Sequence, residues 1–226
     1  MPRPLIPNRP DAILDAAEAL VLEHGYERMS VEQVARRAGI GKGAVYREFR
    51  SKQELRQALL VRGMRRLVQR VREQAAGTGR VGLATAYRLG VDALLDDPLM
   101  TAAFLDDHDF LGTQVRNAPA DRYRDRAAWL TGYVEQLHAA GALRVEAPPA
   151  AVSLALSAFT IGLLSANALL GPLSRDRLAA AVEVVAVLVE RGLEAPVSGG
   201  PDFTAVLDRL DAQLSTTHGT GAPDAR

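Results

Sequence analysis

The residues from 30 to 52, SVEQVARRAGIGKGAVYREFRSK, restrict the fold of this 226-residue chain more than any other stretch does. Ser30 and Gln33 have the spacing of a capping box, which predicts that a helix begins there. Gly39 predicts the end of that helix, because glycine adopts the left-handed backbone conformation without a steric cost. A second short helix with basic and aromatic side chains follows, and Ser51 marks the start of a third. This order is typical of a helix-turn-helix.

The flanking residues extend this motif into a small N-terminal domain. Residues 10–24 carry apolar side chains at helical spacing, and Gly25 ends that helix. We expect this first helix to pack across the helix-turn-helix and to hold it at a fixed angle. Residues 1–9 are rich in proline and polar side chains, which predicts a flexible arm. The sequence therefore predicts a three-helix DNA-binding domain of the helix-turn-helix type over residues 10–56.

Helical periodicity continues through the rest of the chain, so the predicted fold class is all-α. We expect a helical domain over residues 57–194, followed over residues 195–226 by a linker, a short helix and a polar tail. Amphipathic patterns predict helices over residues 51–75, 81–96, 119–140 and 173–193, with short helices starting at Pro98 and Phe203.

No charged residue occurs from 147 to 174. A membrane span has to be weighed, because about 20 apolar residues can cross a bilayer. Prolines and hydroxyl side chains dilute this run, so a helix buried on all sides is the favoured interpretation and no membrane contact is predicted. Ala158, Gly162 and Ala166 lie four residues apart, which gives a smooth stripe for close packing against another helix.

The helix over residues 173–193 has apolar side chains on more than one face. Together with the uncharged helix before it, this helix has more apolar surface than one subunit of this size can cover. We therefore expect a homodimer with a two-fold axis, in which two helices of each copy form a four-helix interface. The predicted interface residues are Ala158, Gly162, Ala166, Val182, Val185 and Val189.

The composition argues against an enzyme. The chain has no cysteine, which excludes disulfides, thiol catalysis and zinc sites with cysteine ligands, and which suits a cytoplasmic protein. The four histidines are scattered, and no Ser/His/Asp arrangement or phosphate-binding loop occurs. Residues 106–109, DDHD, are interpreted as a solvated turn, since four adjacent side chains cannot all converge on one ion. No metal site and no cofactor are predicted.

The charge of the chain is unevenly distributed. The formal net charge is zero, but residues 1–72 carry +7 and the remainder carries −7. The chain has 25 arginines but only two lysines, Lys42 and Lys52. Both lysines lie in the helix-turn-helix or directly after it. A basic N-terminal third with an acidic remainder is the pattern of a protein in which one part meets phosphates and the other does not.

Five segments of the N-terminal third form one extended pattern: HGY at 24–26, MSV at 29–31, AGIGKGAVY at 38–46, Phe49, and SKQEL at 51–55. This pattern resembles the TetR family of transcriptional regulators, over about 50 contiguous residues. The rest of the chain is similar to that family in length and helical pattern only. Glu48 departs from the family, which often has histidine or another neutral residue there. Its carboxylate could face the DNA backbone or point to solvent.

The resemblance implies roles for residues of the helix-turn-helix. Arg47 is the best candidate for a contact to a guanine edge, and Tyr46 would give its hydroxyl to a phosphate. Gly43 would allow the backbone to approach DNA closely. We call each copy of this DNA-binding domain a reader. Two readers related by a two-fold axis imply a palindromic DNA target. The complete set of predicted DNA-binding residues is Ser30, Arg36, Lys42, Gly43, Ala44, Tyr46, Arg47 and Lys52.

The resemblance also implies a small-molecule effector, and with it a repressor that releases its operator when the effector binds. We expect a small, largely apolar molecule in a cavity lined by Phe104, Trp129, Tyr133, Phe159 and Asn167. The alternative is a DNA-binding regulator or architectural protein without such an effector, controlled by a protein partner. A filled helical body would favour the alternative, and an apolar cavity of a few hundred Å³ would favour the effector.

Overall fold

The structure is a computed structural model, and it describes residues 8–78, 80–105, 121–144, 148–171, 173–195 and 201–216. The regular structure of these residues is helical, which confirms the all-α prediction; two isolated bridges, Arg80 with Asp202 and Leu143 with Glu194, are the exceptions within them. The helices are α1 (Arg9–His24), α2 (Val31–Arg37), α3 (Lys42–Glu48), α4 (Lys52–Gln74), α5 (Leu83–Leu95), α6 (Pro98–Leu105), α7 (Asp121–Ala139), α8 (Pro149–Leu170), α9 (Arg175–Leu193) and α10 (Phe203–Thr216).

The chain divides into two compact units. Among the described residues, the first unit comprises residues 8–64 and 98–105, and the second comprises residues 65–97 with everything from residue 121 onward. The division falls inside α4, whose first thirteen residues belong to the first unit and whose last ten belong to the second. The first unit is therefore discontinuous in sequence, because α6 returns to it.

The predicted capping box at the start of α2 is confirmed. The Ser30 hydroxyl oxygen accepts a hydrogen bond from the Gln33 backbone N–H at 3.2 Å, and the Gln33 side chain accepts one from the Ser30 N–H at 2.7 Å. The start of α4 is capped similarly, since Ser51 accepts from the Glu54 N–H at 3.0 Å. There the Glu54 carboxylate bonds the Arg50 N–H at 2.7 Å, one residue earlier than a standard box would place it.

Gly39 makes the turn between α2 and α3. Its φ of 68° lies in the left-handed region, as expected for a residue that ends a helix. This conformation brings the Gly39 N–H to the Arg36 carbonyl at 3.2 Å and the Ile40 N–H back to the Ala35 carbonyl at 2.9 Å. The two bonds form a Schellman motif, which satisfies carbonyls that the end of α2 would otherwise leave unpaired.

The first unit has one continuous apolar core. Ile13 and Ala17 of α1, Val34 of α2, and Leu55 and Leu59 of α4 are completely buried in it. Helix α6 also contributes, through Leu99 and Ala103, a participation that the sequence did not predict. At the edge of this core the Arg62 guanidinium binds two carboxylates of α1, those of Asp15 and Glu18, which ties α4 to α1.

The second unit is built on two helix pairs, α5 with α9 and α7 with α8. Tyr133 of α7 is fully buried, with its ring centroid 5.4 Å from that of Phe203 at the start of α10. The final helix docks on this unit through Phe203, Val206 and Leu207, which are all buried. The Glu194 carboxylate accepts a hydrogen bond from the Ala84 N–H at 2.7 Å and so caps the start of α5.

Helix α8 corrects the prediction that the uncharged run is buried on all sides. Only 28% of its most apolar window, Pro149–Ala166, is buried, although by length and composition alone this helix could cross a membrane. Leu154 is 71% exposed and Leu170 is 76% exposed. One face of the helix packs against α7, and the periodicity of an all-apolar helix cannot indicate how much of the remaining surface the same chain covers.

Helix α9 corrects part of the predicted dimer interface. Val182, Val185 and Val189 are at most 6% exposed, so they belong to the core that α9 forms with α5 and cannot lie on a face that a second copy reaches. The opposite stripe of the helix is the exposed one, with Val184 at 60% and Leu188 at 64%. Both stripes of this helix are apolar in the sequence. The prediction placed the wrong one, that of Val182, Val185 and Val189, in the dimer interface.

Candidate functional site

Helix α3 is anchored by one face and exposes the other. Val45, the fourth residue of the helix, and Phe49, its C-cap, are buried in the core of the first unit. Tyr46 is 42% exposed, and Arg47 beside it is also exposed. Val45 and Phe49 are four residues apart and lie on the buried face, so the phenol of Tyr46 and the guanidinium of Arg47 lie together on the exposed face.

Arg36 and Arg47 are two arginines of the helix-turn-helix whose guanidinium groups have no partner among the described residues. Both side chains are exposed, and within the part of the chain that the structure describes neither makes an ion pair or a hydrogen bond through its guanidinium. An unpaired guanidinium has five N–H donors available for a phosphate or for the edge of a base. These two predicted site residues are thus placed as a contact with an external anion would require.

Lys42 is already paired. Its ammonium forms an ion pair with the Glu32 carboxylate of α2, and it lies 5.7 Å from the centroid of the Tyr46 ring. Hydrogen bonding to Glu32 raises the pKa of Lys42, and the same contact lowers the pKa of Glu32. Both side chains are about half exposed, so solvent screens the pair and an external anion can compete for the lysine.

Gly43 and Ala44 are small residues that leave the backbone at the start of α3 accessible. Gly43 is exposed, and among the described residues no atom beyond the adjoining backbone of α3 lies within 4 Å of the position that a β-carbon there would occupy. Its backbone conformation is an ordinary helical one, so neither strain nor internal packing requires a glycine. Ala44 is half-buried. A requirement for small residues here must come from something outside the chain that approaches the backbone.

The Ser30 hydroxyl caps α2 and can also donate a hydrogen bond. Its hydroxyl oxygen accepts the capping bond from Gln33, and the residue is half-buried. A hydroxyl that accepts one bond keeps its own proton to donate. In the structure this hydroxyl also hydrogen-bonds the Glu32 carboxylate, so Ser30 would exchange Glu32 for an external acceptor while it still caps α2.

Lys52 makes contacts within the first unit that the sequence did not predict. Its ammonium donates to the Glu27 carbonyl at 3.1 Å and lies 4.4 Å from the centroid of the Tyr26 ring. The Tyr26 hydroxyl donates in return to the Lys52 carbonyl at 3.1 Å, and the buried Arg56 guanidinium lies 5.1 Å from the same ring. Burial lowers the pKa of Lys52. Its predicted role at a phosphate stays a prediction, and its contact with Tyr26 is a second role.

Glu48 has a partner within the first unit. The Arg9 guanidinium donates to its carboxylate at 3.2 Å, and both side chains are 27% exposed. The carboxylate is thus neither free in solvent nor unpaired. Arg9 is the first residue of α1, which corrects the predicted arm of residues 1–9 at its last position; residues 1–7 lie outside the described residues.

The predicted effector residues are not brought together where the structure describes them. Tyr133 is core: its hydroxyl donates to the Val81 carbonyl, and burial raises the pKa of the phenol. Phe159 is 46% exposed on α8, so it does not line an enclosed cavity. The side chains of Phe104, Trp129 and Asn167 lie outside the described residues.

A cleft of about 350 Å³ lies between α5 and α9, and none of the five predicted effector residues borders it. It is open and largely polar, because Arg88, Glu183, Glu190 and Glu194 contribute to its walls. The structure finds no cluster of three or more metal-ligating side chains among the residues it describes. Residues 106–109, interpreted from the sequence as a solvated turn, lie outside those residues.

Exposed apolar side chains concentrate on α8 and α9. Six of the eight large hydrophobic residues that are exposed in the described part of the chain lie on these two helices: Leu154, Phe159, Ile161, Leu170, Val184 and Leu188. Ala158 and Gly162, two of the predicted interface residues, are exposed on α8, and Ala166 is half-buried. Within the described part of the chain, no atom beyond the adjoining backbone of α8 lies within 4 Å of the position of a β-carbon on Gly162, so the small-residue stripe is accessible there.

Comparison with known proteins matches the same part of the chain. The family described as bacterial regulatory proteins, tetR family, matches residues 13–59. The A-factor receptor protein of Streptomyces griseus is 41% identical over 49 residues, and the fatty acid metabolism regulator protein of Bacillus subtilis is 31% identical over 61 residues. These segments cover 22% and 27% of this chain, and they span only 18% and 31% of the lengths of the two relatives.

Solved structures extend the similarity to most of the chain. The fatty acid degradation regulator FadR from Bacillus halodurans has a TM-score of 0.64 at 19% identity, covering 82% of this chain and 96% of that one, which shows a common fold. A structure reported as the molecular basis for control of antibiotic production by a bacterial hormone has a TM-score of 0.62 at 26% identity. It covers 84% of this chain and is itself covered completely.

The two lysines provide a matched test of the contacts at Tyr26. Replacing Lys52 by methionine removes the ammonium from the Tyr26 ring and from the Glu27 carbonyl, so we expect the free energy of unfolding to fall by about 1 kcal/mol. Lys42→Met is the control and should leave it unchanged, because its pair with Glu32 is exposed. Urea unfolding followed by circular dichroism measures both, and equal effects of the two substitutions would contradict a structural role for Lys52.

Proposed function

We infer that this chain, which belongs to the tetR family of bacterial regulatory proteins, is a transcriptional regulator that binds duplex DNA through α2 and α3. The observation that carries the proposal is the arrangement of α3. Its apolar side chains are buried, whereas Tyr46 and the unpaired Arg47 are exposed on the other face. DNA lies in the cytoplasm of a bacterium, so we place the protein there.

The exposed groups suit the chemistry of the major groove. A guanidinium can bind O6 and N7 of guanine together, and Arg47 is the side chain on α3 that is free to do so. Tyr46, Arg36 and the Ser30 hydroxyl, once it releases Glu32, would bind phosphates, which sets the register of the helix without reading sequence. Lys42 would exchange its carboxylate partner, Glu32, for a phosphate on binding.

The small residues at positions 43 and 44 fit a close approach of the backbone to DNA. No described residue outside the adjoining turn of α3 occupies the space next to Gly43, so a side chain there would extend toward an external surface. Gly43 and Ala44 would in this way let the start of α3 lie against the sugar-phosphate backbone or the floor of the groove.

A single reader would bind weakly, and we propose that two copies form a homodimer on a palindromic operator. The support is the exposed apolar surface of α8 and α9, which includes Leu154, Ala158, Gly162 and Leu188. Burying such a surface against its own copy gives a closed two-fold assembly and removes an aggregation hazard. Two readers related by that axis would reach major grooves about 34 Å apart.

We further propose that the protein is a repressor released by a small, largely apolar effector. Two similar proteins support this proposal. One is the A-factor receptor protein, which is 41% identical over a short segment, and the other is the structure reported as the molecular basis for control of antibiotic production by a bacterial hormone, which is 26% identical over most of this chain. Phe104, Trp129 and Asn167 remain the proposed lining. The alternative is control by a protein partner without any small effector.

Base reading and phosphate binding can be separated with two arginine variants. Arg47→Ala should relax the preference at one position of each half-site by about 1–3 kcal/mol. Arg36→Ala should instead weaken all sequences alike and reduce the slope of log affinity against log salt by about one for each reader. Selection of duplexes from a random pool followed by titration at several salt concentrations measures both. Failure of the unaltered protein to enrich any sequence would count against the proposed function.

Oligomeric state tests the proposed dimer face. Leu188→Glu places a charge in the exposed apolar surface of α9, and we expect a shift from dimer to monomer in sedimentation equilibrium because a buried, unpaired carboxylate opposes association. Leu22→Glu is the matched control, since Leu22 is 46% exposed on α1 and belongs to the other unit. A Leu188→Glu protein that remains dimeric would contradict this assignment.

The effector proposal predicts a reciprocal effect on DNA affinity. A screen of small, largely apolar molecules should give at least one that weakens the complex with the selected duplex, by about 5- to 150-fold. The duplex should weaken binding of that molecule by the same factor. Fluorescence anisotropy of the labelled duplex measures the first effect and calorimetry the second. A molecule that binds without changing DNA affinity would contradict the switch.

A further inference from the structure

We propose that Arg9 sets the DNA affinity of the protein by neutralising the Glu48 carboxylate, and not by contacting DNA itself. The proposal rests on the proposed function, because it matters only if α3 faces a duplex. Glu48 is the last residue of α3 and directly follows Arg47, the proposed base-reading residue. A carboxylate at that position lies close to a surface that binds a polyanion.

Each of the two side chains is at the electrically unfavourable end of its own helix. The C-terminus of a helix carries a partial negative charge, so Glu48 at the end of α3 is disfavoured there. The N-terminus carries a partial positive charge, so Arg9 at the start of α1 is disfavoured as well. Local helix preferences therefore explain neither residue, whereas their mutual contact at 3.2 Å explains both.

The contact is also better shielded from solvent than the Lys42–Glu32 pair between α2 and α3. Each side chain of the Arg9–Glu48 pair is 27% exposed, whereas those of Lys42 and Glu32 are 50% and 53% exposed. A less exposed pair is screened less by water and salt, and it is held in a narrower range of geometries. The arginine is thus positioned to cancel the charge of Glu48 even while a phosphate lies near α3.

Three variants separate this role from a direct phosphate contact. Arg9→Gln leaves Glu48 uncompensated, so affinity for the selected duplex should fall about fivefold for a complex with two readers. Adding Glu48→Gln in the same chain should restore affinity to within about twofold of the original protein, since the charge at this place is again zero. Glu48→Gln alone should not weaken binding.

The salt dependence distinguishes the two ways in which Arg9 could act. If Arg9 works through Glu48, the slope of log affinity against log salt stays the same in Arg9→Gln, because no phosphate contact is lost. Arg72→Gln is the matched control: Arg72 forms an ion pair with Asp208 at 2.8 Å within the second unit, and its loss should change neither affinity nor slope.

Five outcomes of this titration are informative. A fivefold loss with an unchanged slope and rescue by Glu48→Gln supports the proposal. Unchanged affinity of the correctly folded Arg9→Gln protein overturns it, and so does a loss that Glu48→Gln does not rescue or a slope reduced by about one per reader. Absence of binding by the unaltered protein, measured first in the same titration, overturns the proposed function together with this inference.

Discussion

The seven residues of α3 are too few for a helix that is stable on its own, because nucleation is costly and a single extra turn returns few hydrogen bonds. The helix exists because Val45 and Phe49 are buried in the core of the first unit and because the turn at Gly39 delivers the chain to it. The burial of Val45 and Phe49 fixes the orientation of α3 and therefore the direction of its exposed side chains. Apolar packing, and not the polar residues themselves, determines the geometry of the proposed DNA-binding surface.

The sequence predicted the local parts of that frame well. A capping box and a glycine turn involve residues three to five positions apart, and their signals survive in the sequence because each depends on one or two residue types. Ser30 with Gln33 and the turn at Gly39 were predicted and are confirmed. The interactions of Glu48, Lys42 and Lys52 were not predicted, because their partners are 39, 10 and 25 or more positions away and no periodic pattern links them.

Periodicity was weakest where a helix is apolar all round. In α9 the stripe of Val182 and the stripe of Leu188 have the same chemistry, and only the position of α5 determines which one is buried. In α8 the same ambiguity led to the prediction of a helix buried on all sides. Two of the candidate effector residues, Tyr133 and Phe159, are placed in the core and on the surface for a related reason: they were chosen by residue type, which does not tell a core position from a surface one.

The return of α6 to the first unit has a consequence for how this part of the chain can be made. Leu99 and Ala103 complete a core whose other members all precede residue 60. During synthesis the N-terminal helices must wait, with that side uncovered, until residue 103 has left the ribosome. A shortened gene that stops after α4 would yield helices without the apolar contacts of Leu99 and Ala103, so we expect that fragment to be less stable than one that extends beyond α6.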